Sequence, residues 1–303
     1  MMLHAHVGVQ EGRVWEGLLN EVLLDSLLDT LKLLPFLFLT YLLMEFIEHK
    51  ASDKTLALLR KSGKGGPAVG ALLGAIPQCA FSAVAANLYT GRVITLGTLI
   101  AVFLSTSDEM LPIMISEGAP LLTVLAIVGY KAAVGIVAGF AIDIALHMMN
   151  KNKPDINIDE ICDNDNCHCE RGILFSAVHH TLTISAFILV VTLAVNTLVF
   201  FIGSDTLGEW MSRIPVLSHL LAAVIGLIPG CATSVALTTL GLEGIISEGV
   251  MMSGLLTGAG VGILILTRLN KHWRENLAIM GLLTVIGFVF GMIFDLFGLS
   301  LAV

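Results

Sequence analysis

Charge is scarce in this chain. Of its 303 residues, 13 % are Asp, Glu, Lys or Arg, against about 25 % in an average soluble protein. So sparse a charged set excludes an ordinary cytosolic enzyme and a disordered regulator. Positive charge is the scarcer sign: 16 Lys and Arg face 24 Asp and Glu, for a net charge of −8. That leaves no basic footprint, and no nucleic acid is expected as a partner. Cysteine is rare as well. Cys79 and Cys231 lie in apolar sequence, while Cys162, Cys167 and Cys169 share one polar stretch. That distribution is not a disulfide framework. No nucleotide-binding motif is present, so ATP would have to come from a separate subunit. Neither an enzymatic activity nor a bound cofactor is expected. The first 22 residues are too polar for a signal peptide. Apolar residues are abundant, at 56 % of the chain. A soluble core cannot use that much, so the expected fold class is an all-α polytopic membrane protein with the lipid bilayer as its first partner.

The chain contains one unit twice. Shifted by 152 residues, Gly-Ala-Ile-Pro-Gln-Cys-Ala-Phe-Ser (74–82) falls on Gly-Leu-Ile-Pro-Gly-Cys-Ala-Thr-Ser (226–234). At the same offset Gly135, Gly139 and Asp143 fall on Gly287, Gly291 and Asp295. Residues 70–146 and 222–298 share 20 identities in 77 positions without a gap. Chance likeness between apolar stretches would scatter over Leu, Val and Ala, whereas these matches include Pro, Cys, Ser, Asp and Gly. An earlier stretch repeats at an offset of 151, with Asp29-Thr30-Leu31 on His180-Thr181-Leu182. The expected organisation is a polar segment 1–22, a first transmembrane repeat 23–147, an acidic Cys/His linker 148–173 and a second repeat 174–303.

Each unit divides into four apolar segments. In the first they are Leu23–Ile47, Pro67–Tyr89, Val93–Ile115 and Leu121–His147; in the second, 174–202, 216–242, 245–267 and 276–299. Pro67–Tyr89 carries Pro77-Gln78-Cys79 at its centre. Read as a re-entrant hairpin, it has arms of about 11 residues, or ~16 Å, which is half of a ~30 Å hydrocarbon core. The unit then crosses three times and its copy is inverted, giving about ten membrane segments in all. With the N-terminus outside, 12 of the 16 positive residues fall in internal loops. If 67–89 crossed fully, the count would be 9 inside and 5 outside. The positive-inside rule favours the inverted repeat, the usual plan of secondary transporters with a midplane site.

Three groups of residues could hold cargo or protons. The first comprises the two Pro-x-Cys tips: Pro77, Gln78, Cys79 and Ser82, and Pro229, Cys231, Thr233 and Ser234. Proline breaks the helical ladder and frees carbonyls, which at membrane depth is tolerated only where backbone is buried or lines a cavity. The bland alternative is a proline kink beside an inert buried Cys. The second is Ser105-Thr106-Ser107-Asp108-Glu109, matched by Thr257-Gly258-Ala259-Gly260-Val261. Hydroxyl and Gly runs at mid-membrane point to unwound helix, and ionisable residues there default to function. The alternative is a structural ion pair between Asp108 and Lys131. The third is a proton-coupling set: Asp29 and His180 at equivalent places, with Lys131. Helix-end capping is the competing reading of Asp29 and His180, and packing or capping is favoured for Asp143 and Asp295.

Expected metal ligands are Asp108, Glu109, Cys79 and Cys231 at the transport site, and Cys162, Cys167, His168 and Cys169 in the linker. Three thiols and an imidazole within eight residues can bind a soft or borderline cation, although the spacing is not that of a zinc finger.

The motifs Leu28-Asp29-Thr30-Leu31-Lys32-Leu33-Leu34-Pro35-Phe36, Ile76–Ser82, Ala86-Asn87-Leu88-Tyr89 and Ser105–Pro112, with the Cys-His-Cys linker, resemble the 10-transmembrane heavy-metal exporter family. Its members are named manganese transporters or arsenic efflux proteins and are similar to the arsenic-permease group. The resemblance covers nearly the whole chain and adds Asn87 to the expected substrate-binding residues. The family's glycine-rich motif has Gly after the Cys, where this chain has Ala80. Export of a metal ion or metalloid is what the resemblance implies. Hard ligands and the linker tilt the expectation to Mn2+ or a similar divalent cation, exported by proton antiport. Cys79 and Cys231 keep arsenite or an organoarsenical open, and a passive channel or metal sensor is a further alternative. The expected location is the inner membrane of a prokaryote, with both termini outside. A second copy of the chain is a candidate partner.

Overall fold

The structure is a computed structural model that describes residues 65–76, 80–107, 110–116, 118–148, 173–202, 215–229 and 231–297, with short stretches between 23 and 42. Among these residues there is helix and no strand. The helices are α1 (Gly66–Gly74), α2 (Ala80–Thr90), α3 (Leu96–Ser105), α4 (Met110–Ser116), α5 (Leu121–Met148) and α6 (Ile173–Ile202). They continue as α7 (Pro215–Gly226), α8 (Cys231–Leu242), α9 (Glu248–Thr257), α10 (Gly262–Leu269) and α11 (Trp273–Leu296).

Segments expected to run through a Pro-Cys or hydroxyl motif are each two helices. Residues 67–89 divide into α1 and α2, 93–115 into α3 and α4, 216–242 into α7 and α8, and 245–267 into α9 and α10. At about 1.5 Å per residue, α1, α2, α7 and α8 span some 13–18 Å each, half of a bilayer core. Among the described residues, three stretches are long and apolar enough to cross: Leu121–Met148, Glu248–Leu269 and Trp273–Leu296. The second contains a break, and 89 % of its most apolar window is buried, against 33 % and 28 % for the continuous pair. This follows from hydrogen bonding: broken backbone must be enclosed by protein, while an unbroken helix can face lipid. Leu122, Leu125 and Val137 on α5 and Leu277 and Val285 on α11 are exposed accordingly.

Packing within each half repeats at the offset seen in the sequence. Thr95 caps α3 by accepting from Thr98 N at 3.1 Å, and Ser247 caps α9 by accepting from Val250 N at 3.2 Å. Asp143 accepts from Thr95 Oγ1 (2.7 Å) and Gly97 N (2.9 Å). Asp295 accepts from Ser247 Oγ and Gly249 N, both at 2.7 Å. The two aspartates thus fix the start of the neighbouring helix, the capping role favoured for them.

Helix contacts are close for the same reason in both halves. A Cβ at Gly135 would stand 2.7 Å from Ala101 O, and one at Gly139 2.6 Å from Gly97 O. At Gly287 it would stand 2.8 Å from Ser253 O, and at Gly291 2.7 Å from Gly249 O. Each half therefore uses a Gly-xxx-Gly edge to bring two backbones together, as membrane helices do when apolar burial gives no preference for protein over lipid.

Between the halves, α2 packs against α10, α4 against α8, and α3 against α9. Exchanging the halves returns the same three contacts, so the broken segments of each unit complete the core of the other. Tyr130 on α5 adds a tie to α11, its hydroxyl donating to Phe290 O at 2.6 Å.

Candidate functional site

The site is built where α3 and α9 stop. Hydroxyls of the α3 terminus turn back onto carbonyls of its last turns, as Ser and Thr do in helices. Ser105 Oγ donates to Ala101 O (2.8 Å) and Val102 O (3.0 Å), and Thr106 Oγ1 to Val102 O (2.8 Å). Ser107 Oγ turns back to Ser105 O at 3.1 Å. All three hydroxyl residues are buried. In α9, Thr257 Oγ1 donates to Gly254 O at 2.9 Å, and the chain then passes through Gly258, Ala259 and Gly260, the last at φ +53°. The unwound helix expected from the hydroxyl and Gly runs is present in both halves.

Lys131 connects the two breaks. It is 1 % exposed, and it is the only Lys, Arg, Asp or Glu among the buried described residues. Its Nζ donates to Thr106 O, just past the end of α3, and to Leu255 O at 2.8 Å. Leu255 O is free of its own ladder because α9 ends at Thr257 before residue 259 can donate. The ammonium therefore lies against carbonyls from the negative ends of two half-helices, one from each unit. Asp108, the ion-pair partner considered from the sequence, lies outside the described residues.

Other expected site residues lie on α2 and around the start of α8. Ser82, fully buried on α2, borders Gly262 at the start of α10: a Cβ on Gly262 would stand 2.8 Å from Ser82 O and 2.7 Å from the Phe103 ring. That brings one tip helix of the first unit to the broken helix of the second. Asn87 is buried farther along α2. Thr233 is buried near the start of α8 and donates to Ile228 O at 3.2 Å, closing the turn at Pro229, which is partly buried. Ser234 is also partly buried. Pro77, Gln78, Cys79, Glu109, Asp29 and the linker residues Cys162, Cys167, His168 and Cys169 lie outside the described residues, as do the side chains of Cys231 and His180. Among the described residues, no three His, Cys, Asp or Glu side chains gather to hold a metal.

One polar cluster was not anticipated. Arg92, in the turn after α2, binds Glu275 at the start of α11 with both guanidinium nitrogens, at 2.8 and 3.0 Å. Tyr89 donates to the same carboxylate and lies beneath the Arg92 guanidinium, 5.3 Å from ring centroid to Cζ. The bond to Glu275 raises the Arg92 pKa further above the ordinary arginine value, so its charge is permanent. This cluster ties the two halves together at one end. A sequence signal existed: Arg92 and Glu275 fall on Gly244 and Thr123 at the repeat offset, so charge is added to a shared frame at both positions. His219 breaks the symmetry likewise, its Nε2 standing 3.1 Å from Asp295 Oδ2 where the other half has Pro67.

No curated protein and no solved structure matches the chain. A profile of the family described as "Putative, 10TM heavy-metal exporter" matches residues 19–201 and 132–259. With the enclosed broken helices, that match makes the protein a multi-pass membrane protein of the heavy-metal exporter class, and the chain belongs to this ten-transmembrane family.

Proposed function

We propose that the protein is a secondary-active exporter, not an enzyme, and that it moves a divalent cation such as Mn2+ out of the cell against protons. Its two units would be inverted in the membrane, with the cargo site at the midplane between the Pro77–Cys79 and Pro229–Cys231 tips and the α3–α4 break. One observation carries this reading: both long inner segments are interrupted at equivalent places, and the interruptions are buried in protein between the halves. Interrupted helices at a repeat interface supply carbonyls, hydroxyls and helix-end charge for an ion where lipid could not. Asp108 and Glu109 would add hard oxygen ligands suited to Mn2+. Asp29, His180 and Lys131 would serve proton coupling.

Arsenite or an organoarsenical is the second cargo. It is favoured by Cys231, which is the first residue of α8 and follows Pro229-Gly230 in the sequence, because thiolates select soft cargo. Proteoliposomes loaded with the full chain decide between these. Uphill Mn2+ flux driven by a pH gradient, lost in Asp108→Asn, is the expected result. Uphill arsenite flux lost in a Cys79→Ser, Cys231→Ser double variant would give the site to the soft cargo. Flux that only runs downhill would overturn the exporter.

A further inference from the structure

We infer that the two carbonyl ends joined by Lys131 form a binding site for a small monovalent cation of the ammonium class, and that the chain fills it with its own side chain. Thr106 O and Leu255 O come from different halves, and each belongs to the C-terminal end of a half-helix. Such an end carries roughly half a negative charge, so two of them facing one point ask for about one positive charge. In water that demand is met by solvent. Here the described surroundings are buried, with Ser105, Thr106, Ser107, Leu255 and Leu256 each 3 % exposed or less.

An ammonium suits the place because it is compact and has three N–H donors, and two of them go to these carbonyls. The charge is tethered: Lys131 reaches in from α5, which packs against α3 through the Gly135 and Gly139 edge. The equivalent position on α11 is Leu283, fully buried in the apolar core. The frame shared by the two halves therefore does not require a cation at this position. The lysine answers a demand created at the junction of the two breaks. Removing the side chain and leaving the carbonyls in place should restore the demand and open a cavity that admits an ammonium ion. A free ion would then bind where the tethered one had been.

This inference is independent of which cargo the protein exports, and its test needs no transport. The full chain, purified in detergent as wild type and Lys131→Ala, is melted in ammonium chloride, sodium chloride and choline chloride at equal ionic strength. In choline, which is too large for the site, Lys131→Ala should melt about 5–10 °C below the wild type, because two buried carbonyls lose a charged partner. Ammonium should restore about 5 °C or more of that loss, saturating with concentration as a single site does. Sodium should restore less, since two carbonyls replace little of its hydration shell. The wild type should melt alike in all three salts. Lys131→Met, which keeps the length of the stem and fills the cavity, should respond to none of them. Equal melting of Lys131→Ala in all three salts would overturn the site, and so would an ammonium response of the same size in the wild type. Failure of Lys131→Ala to fold in ammonium and in sodium would overturn it too, because a bound cation is expected to rescue the fold.

Discussion

The Arg92–Glu275 pair should control how often the end of the molecule it ties opens. The perturbation is Glu275→Gln, which keeps the shape and removes the charge. Both side chains are about a quarter exposed, at 27 % and 26 %, so solvent weakens the pair below a buried one. A freely exposed ion pair is worth roughly 0.2–1 kcal/mol, and a bidentate, charge-assisted one about twice a neutral bond. The Tyr89 hydroxyl adds a third donor to the same carboxylate. We take about 1–2 kcal/mol for the charge, which is a factor of roughly 5–30 in a two-state equilibrium. The assay is the rate at which a thiol reagent labels Leu269→Cys. Leu269 is 1 % exposed at the end of α10, one residue before the turn that leads to Glu275. Labelling should quicken by about 5–30-fold in Glu275→Gln, by less in Tyr89→Phe, and return toward the starting rate in the charge-swapped pair Arg92→Glu, Glu275→Arg. The protein without the added cysteine supplies the background from native thiols. If Glu275→Gln labels at the unchanged rate while its melting point falls, the pair is a static brace and the reasoning fails.

Two further expectations concern stability and need only a melting curve. Asp143→Ala should cost about 3–5 kcal/mol, because a half-buried carboxylate leaves two donors at the start of α3 unmet, while Asp295→Ala should cost about 1–2 kcal/mol at its more exposed site. Equal losses would show that exposure does not set the difference. Glycine positions should divide by space: Gly129→Ala and Gly281→Ala meet nothing within 4 Å and should gain about 0.5–1 kcal/mol from helix propensity. Gly135→Ala and Gly287→Ala press on a carbonyl and should lose about 1–3 kcal/mol; a uniform response at all four would refute the close-packed edge.

Most of the helical layout was legible because membrane sequence is written in apolar runs with few interruptions. Leu121–His147 was bounded within a residue of α5, and 174–202 within one of α6. The breaks were legible because proline and clustered hydroxyls change backbone hydrogen bonding wherever they stand: α1 and α7 end before Pro77 and Pro229, and α3 ends at Ser105 with Thr106 as its cap. The partners of long side chains were not legible. Lys131 carries its charge several bonds from α5 and can reach an acid or a carbonyl with equal ease, so nothing in the sequence points to Thr106 O and Leu255 O, its described carbonyl partners; Asp108 lies outside the described residues. Arg92 and Glu275 are 183 residues apart, and nothing local to either names the other. Asp143 and Asp295 were legible as caps because both copies kept them, and a carboxylate kept at both span ends needs a role common to both halves.

That last point separates frame from function more generally. What the two halves share is packing: the caps at Thr95 and Ser247, the aspartates that hold them, and the glycine edges. These contacts work in either copy because they depend on local backbone approach. Among the positions where the halves differ, several carry charge in one half alone: Lys131 against Leu283, Arg92 against Gly244, Glu275 against Thr123, His219 against Pro67, Asp108 against Gly260. In the inverted arrangement proposed above, a frame made of two equal halves would treat both faces of a membrane alike, and an exporter must not. The energy that distinguishes the two sides has to reside in residues the halves do not share. Lys131 lies at the junction of the breaks and the Arg92–Glu275 tie at one end, so the charges that break the symmetry occupy the places where a bias between two access states would act.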